Sequence, residues 1–170
     1  AVRTVKGFLC YGLHFIGEQR REQFQMSRAS DLFDKSIAAD AGNWRPYMSK
    51  AHVFMSQSFW NFDADEKVRQ ARDAVALYDN ALARNPYDLE AVFGLGKAYN
   101  VLGEQEKALD CLRRAVAADP EHLFYASHLG LQLRRMGRDQ EALDVFRQAA
   151  AKWNNEMVLL NIKALEEKLA

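Results

Sequence analysis

The chain of 170 residues is poor in proline and glycine, and neither sign of charge is in excess. Three prolines and nine glycines exclude collagen-like and low-complexity chains. The 23 basic and 23 acidic residues cancel, so no overall positive field points to nucleic acid or to an anionic membrane. No apolar run reaches the length of a membrane span. We therefore expect no nucleic-acid partner and no direct membrane span.

Cysteine is also scarce, since only Cys10 and Cys111 occur. A disulfide framework needs more cysteines in a shorter chain, so both are predicted to be buried, reduced thiols. Reduced thiols favour a reducing compartment, and we expect a cytoplasmic location. Because the chain begins with Ala1 instead of Met, we also expect a processed product or a soluble domain of a larger, membrane-anchored protein.

Motifs of catalysis and cofactor binding are missing. There is no Walker-type phosphate loop, no dinucleotide-binding glycine fingerprint, no nucleophile elbow and no paired-cysteine metal motif. The histidines, at 14, 52, 122 and 128, never stand three or four residues apart, the usual spacing of helical metal ligands. The sequence predicts a protein that is not an enzyme and has no cofactor or metal.

The chain does contain an internal repeat of 34 residues. Small and apolar residues recur at this shift in the pairs Leu95/Leu129, Gly96/Gly130, Gly103/Gly137, Ala108/Ala142, Leu112/Phe146 and Ala115/Ala149. Pro86 and Pro120 stand 34 residues apart as well. Glycine ends a helix readily and proline stops the next one, so the pattern predicts stacked pairs of antiparallel helices.

These residues resemble the tetratricopeptide repeat (TPR), which favours Leu-Gly at positions 7 and 8, Tyr at 11, Ala at 20 and 27, and Pro at 32. Residues 89–122 follow the pattern closely; residues 123–156 depart from it at Leu133 and Asn154. The resemblance implies an all-α fold, a right-handed superhelix of about nine helices. It also implies a protein-interaction module without catalytic activity.

The first half repeats at a longer period. Shifting by 45 residues places Ala29, Phe33, Ser36 and Ala38 on Ala74, Tyr78, Ala81 and Ala83. We therefore predict a single solenoid over 1–170 with elongated repeats at 1–43 and 44–88, regular repeats at 89–122 and 123–156, and a capping helix at 157–170. The cap would bury Val158, Leu159, Ile162, Leu165 and Leu169 and expose its polar side, which includes Asn161.

The elongated units set further expectations. In the first, a break at Gly17 precedes a long helix, Glu18–Ala39. In the second, the first helix runs one turn longer, through Asn61, and the second runs two turns longer, from Asp63 to Arg84. Asp63 would be the N-cap, with Glu66 reaching back to it. The aromatic side chains at 15, 59, 60 and 62, with His14, would pack the tips of the long helices together; the alternative is an exposed aromatic patch that binds a partner.

The resemblance also indicates where a partner would bind. In TPR arrays, positions 2, 5, 9, 12 and 13 of each unit face a concave groove. The candidate groove residues here are Met48, His52, Met55, Phe93, Lys97, Asn100, Phe124, His128, Leu131, Arg134 and Arg135. Their mixture of apolar side chains and cations suits an extended or helical segment with apolar anchors and an acidic group.

The leading hypothesis is a scaffold that binds an unidentified peptide or protein in this groove. Three alternatives stay open at this point: an accessory domain of a larger bacterial enzyme or envelope or polysaccharide-assembly protein, a small secretion-type chaperone, and a self-associating homo-oligomer. The residues that would clamp the acidic tail of a heat-shock chaperone are absent, because positions 5 and 9 hold side chains such as Met48 and Leu131.

Overall fold

The computed structural model describes residues 25–170, which form eight helices joined by short turns and contain no strand. The helices are α1 (25–39), α2 (Arg45–Trp60), α3 (Ala64–Arg84), α4 (Leu89–Val101), α5 (Gln105–Ala118), α6 (Leu123–Arg135), α7 (Asp139–Lys152) and α8 (Glu156–Leu169). From α2 onward each helix packs against the next, so the predicted all-α stack is confirmed. No helix in this described part combines the length and hydropathy needed to cross a membrane.

The pair α2 and α3 is longer than the pairs that follow it. The helix α2 has 16 residues against 13 in α4, and α3 has 21 against 14 in α5. These differences are the extra one and two turns that the sequence predicts. In the preceding unit, α1 ends at residue 39 as expected, whereas the predicted break at Gly17 and helix start at Glu18 lie outside the described residues.

The predicted N-cap of α3 is confirmed, but the predicted return bond from Glu66 is not formed. Asp63 is the N-cap, and its carboxylate accepts the amides of Asp65 and Glu66. The return bond from Glu66 is not formed, because the Asp63 amide donates to Asn61 and Glu66 pairs with Arg69. The helix α2 ends at residue 60, so Asn61 is its C-cap and not part of it.

Glycines allow close packing within and between the helix pairs. A Cβ on Gly96 would lie 3.1 Å from Cys111 Cβ, and one on Gly130 would lie 2.6 Å from the buried ring of Phe146. A Cβ on Gly94 would overlap the buried ring of Tyr78. The sequence Gly94-Leu95-Gly96 is therefore a packing element inside α4.

The helix α8 packs on α7, but its buried side differs from the predicted one. Val158 and Leu165 are each 1% exposed, whereas Leu159 and Leu169 are 45% and 46% exposed. Asn161, predicted to face solvent, is buried because its amide donates to the Met157 carbonyl and its oxygen accepts from Arg134. The cap thus leaves part of its apolar surface uncovered.

Candidate functional site

The first helices of successive pairs, α2, α4 and α6, together line a cavity of about 610 Å³, hereafter the main cavity. Residues three, four or seven apart on each helix face it, because that spacing places side chains on one side. It is lined by His52, Met55, Ser56, Phe59, Trp60, Lys67, Tyr78, Glu90, Phe93, Gly94, Lys97, Asn100, Val101, His128, Leu131 and Arg135.

Eight of the eleven candidate groove residues line the main cavity, and three do not. Met48 is half-buried and packs against the core. Phe124 lines a different cavity. Arg134 points to the last helix, where its guanidinium binds the side chain of Asn161. The repeat spacing thus places most of the predicted groove residues in one cavity. The other three make different contacts: with the core, with the second cavity and with the last helix.

The end of α2 and the helix α3 add lining residues that the groove positions did not include. Phe59 and Trp60 contact each other edge to face at 5.1 Å and extend the cavity along α2. They are 72% and 52% exposed, and Phe62 is 89% exposed, so for these three side chains the expected packing of helix tips is wrong and the alternative, an exposed patch, agrees with the structure. His14 and Phe15 lie outside the described residues. The extra turns of α2 and α3 were the sequence signal that could have placed Phe59 and Trp60 at the cavity.

An aromatic cluster forms the centre of the cavity wall. The Phe93 ring lies 5.0 Å from Tyr125, 4.9 Å from His128 and 5.5 Å from Phe124, centroid to centroid. The Lys97 ammonium lies 5.7 Å from the Phe93 centroid, within the range of a cation–π contact. Phe93 and Tyr125 are only 7% and 9% exposed, so the cluster is mainly core packing. Of its four rings, Phe93 and His128 line the main cavity, with the Lys97 cation beside them.

The charge inside the main cavity is positive, although the chain is neutral. Lys67, Lys97 and Arg135 line it, against Glu90 as the single acidic residue of the lining. Burial lowers the pKa of His128 to about 4, and the charges of Lys97 and Arg135 act in the same direction. Lys97 and Arg135 therefore lie close enough to His128 to disfavour its protonation.

His52 is the second neutral imidazole of the main cavity. Burial lowers its pKa most, Lys97 adds to that lowering, and Glu90, whose carboxylate is 3.9 Å from Nδ1, opposes it. The side chains of Lys97, Asn100 and Arg135 make no hydrogen bond or ion pair with any residue between 25 and 170. Their polar groups are available to a ligand.

A second cavity of about 520 Å³ lies where α6, α7 and α8 meet. Phe124, Trp153 and Met157 form its apolar wall, and they are 54%, 47% and 64% exposed. The Trp153 indole donates to the Glu121 carbonyl at 3.1 Å, which fixes its ring. Phe124 also contacts Phe93 and His128, both of which line the main cavity, so the two cavities adjoin.

Other reactive groups contribute nothing to this site. Burial raises the pKa of the Cys111 thiol to about 11, which makes it an inert core residue, as predicted. Cys10 lies outside the described residues. Over 25–170, no cluster of three or more histidine, cysteine or acidic side chains has a metal-binding arrangement.

Comparison with known proteins places this arrangement in a family. The tetratricopeptide repeat family model matches residues 62–122 and 106–156, more than half of the chain. The chain belongs to the tetratricopeptide repeat family. The TPR array of this protein is thus a right-handed α-α superhelix, a fold that supports protein-interaction scaffolds. No curated protein matches the chain.

Solved TPR structures share the fold at low sequence identity. MamA superposes with a TM-score of 0.73 at 20% identity, over 90% of this chain and 84% of MamA. TTC0263, a thermophilic TPR protein from Thermus thermophilus, gives 0.70 at 19% identity, over 84% and 75%. YrrB, described as a TPR protein with an unusual peptide-binding site, gives 0.66 at 23% identity, over 80% and 65%.

Proposed function

We propose that this TPR protein is a non-catalytic interaction module that binds a segment of a partner protein in the main cavity. The observation that carries the proposal is the combination of apolar and polar side chains in one concave surface. Exposed apolar groups such as Phe59 and Trp60 line it. The side chains of Lys97, Asn100 and Arg135 line it too and make no hydrogen bond or ion pair with residues 25–170. Apolar pockets with a few convergent polar groups are typical ligand sites. The peptide-binding site named for YrrB supports this use of a similar fold.

The test is selection of a displayed library of random 16-residue peptides on the immobilised protein. Enriched peptides are then measured by fluorescence anisotropy against the wild type and against Lys97→Glu combined with Arg135→Glu. We expect this double charge reversal to weaken the enriched peptides at least tenfold, because it replaces two cations of the cavity with carboxylates.

The control is Arg72→Glu combined with Arg114→Glu. These arginines are exposed, lie on α3 and α5, line neither cavity and make no ion pair within the described chain. The same change of net charge there should leave affinity within about twofold. Absence of enriched peptides, or equal loss of binding in both double variants, would contradict the proposal.

A further inference from the structure

The further inference concerns the chemistry of the bound segment, and it rests on the proposed function. We infer that the partner segment is acidic where it crosses Lys97 and Arg135 and continues into the second cavity, where it places an apolar side chain against Phe124, Trp153 and Met157. The partner is thus a peptide with separate anionic and apolar parts, and the second cavity is a binding subsite of its own.

The first step is charge complementarity. Three cations and one carboxylate line the main cavity, so it holds a surplus of positive charge within a neutral chain. Lys97 is half-buried, and no carboxylate among residues 25–170 lies within ion-pair distance of its ammonium. A partly desolvated cation without an anion is unfavourable, and an anionic ligand relieves that penalty. An acidic segment is therefore favoured over a neutral or basic one.

The second step is the apolar surface of the second cavity. Phe124, Trp153 and Met157 are large side chains that stay about half exposed or more, around one concavity. Their charged neighbour Glu121 is already neutralised by Lys152 at 2.6 Å. No unpaired charge of the lining competes for a polar ligand, so an aliphatic or aromatic side chain fits this subsite best.

The third step is continuity between the two cavities. Phe124 lies in the wall of the second cavity and contacts the rings of Phe93 and His128 in the wall of the main one, at 5.5 and 4.7 Å. One peptide therefore meets the positive region and the apolar subsite without leaving the protein surface. Binding two linked groups at adjoining subsites also gains more affinity than either contact alone.

The experiment uses the same displayed peptide library on four proteins: the wild type, the Lys97→Glu and Arg135→Glu double variant, Met157→Lys, and Leu169→Lys. Met157 is 64% exposed, so its replacement should leave the fold intact. Leu169→Lys is the matched control, because it adds the same charge to the exposed side of the same helix but lines neither cavity.

Peptides enriched on the wild type and on Leu169→Lys should carry a net negative charge, with aromatic or aliphatic residues clustered at one end. Selection on Met157→Lys should keep the acidic enrichment and lose the apolar cluster. Peptides enriched on the wild type should bind Met157→Lys about tenfold more weakly and Leu169→Lys within about twofold. Raising the salt concentration should weaken the wild-type complex, because the acidic contacts are screened.

The outcomes separate this inference from the proposed function. If peptides bind the main cavity but show no acidic enrichment, or lose nothing on Met157→Lys, the inference is overturned while the interaction module stands. If no peptide binds the main cavity, both fail. The second cavity could instead bind a second copy of this chain, and sedimentation equilibrium tests this by measuring the oligomeric state. A wild-type dimer that Met157→Lys dissociates would assign the second cavity to that copy and overturn the inference.

Discussion

The two sides of helices α4 and α6 have opposite properties. Toward α3, α5 and α7 they carry glycines at 94, 96 and 130, where an added Cβ would crowd Tyr78, Cys111 and Phe146 respectively. Toward the main cavity they carry Phe93, Lys97, His128 and Arg135, and the two cations among them have no anionic protein partner. The packed side contributes to stability alone, whereas the cavity side combines the ring contacts of Phe93 and His128 with two cations that form no ion pair within residues 25–170. Cations without an ion pair at a cavity agree with the proposed binding of a partner segment there.

The largest change in the free energy of unfolding should come from adding side-chain atoms on the packed side. In an isolated helix Gly→Ala stabilises by about 1 kcal/mol. At Gly130 the added Cβ would lie 2.6 Å from the Phe146 ring, which is 1% exposed and has nowhere to move. We expect Gly130→Ala to destabilise by about 1–3 kcal/mol, and Gly96→Leu by at least as much, in urea unfolding.

The control for Gly130→Ala is the same change made in a Phe146→Leu background. The smaller side chain removes the overlap, so the penalty should shrink or change sign although Phe146→Leu itself is destabilising. An equal penalty in both backgrounds would show that packing against Phe146 is not its cause.

A change of intermediate size in the free energy of unfolding is expected when the pH is lowered, through His128 on the cavity side. The pKa of His128 is about 4 in the folded protein and about 6.5 in the unfolded chain. Between these values only the unfolded chain takes up the proton, so the free energy of unfolding falls as pH drops through this window. Because the ring is only partly buried, His128 should contribute about 1 kcal/mol of that fall between about pH 7 and pH 5.

His128→Gln is the variant that isolates this contribution. It loses the ring contacts at every pH, so its stability is lower throughout, but its slope over the same pH range should be shallower than that of the wild type. Urea unfolding at several pH values measures both. A slope identical to the wild type would exclude His128 as the titrating group.

The packed side was more predictable from sequence than the cavity side. Gly96 and Ala108 indicate close helix contact because few other residues fit there, and Gly103 and Gly137 end their helices at φ of 75° and 74°, as glycine after a helix suggests. A repeat period also fixes which residues share a helix face, so eight groove candidates lie together.

What sequence could not settle depends on contacts between elements. Arg134 and Arg135 are neighbours with the same side chain, yet only Arg135 lines the cavity because Asn161 on α8 binds Arg134. Burial of Asn161 depends on the angle at which α8 meets α7, which no periodicity encodes. Exposure of Phe59 and Phe62 likewise depends on what lies opposite the end of α2.

The smallest change in the free energy of unfolding should come from Lys97→Met. This variant tests directly whether a cation on the cavity side contributes to the fold. The ammonium is half-buried and forms no ion pair within residues 25–170, so removing its charge loses only the 5.7 Å contact with the Phe93 ring and relieves a desolvation cost. The free energy of unfolding should stay within about 0.5 kcal/mol of the wild type or rise slightly. Arg84→Met is the matched control, since Arg84 donates to Ala41, Asn80 and Tyr47 and lies 4.2 Å from the Tyr47 ring. That loss should be about 1–3 kcal/mol, and a comparable loss at Lys97 would mean that this lysine serves the fold and not a ligand.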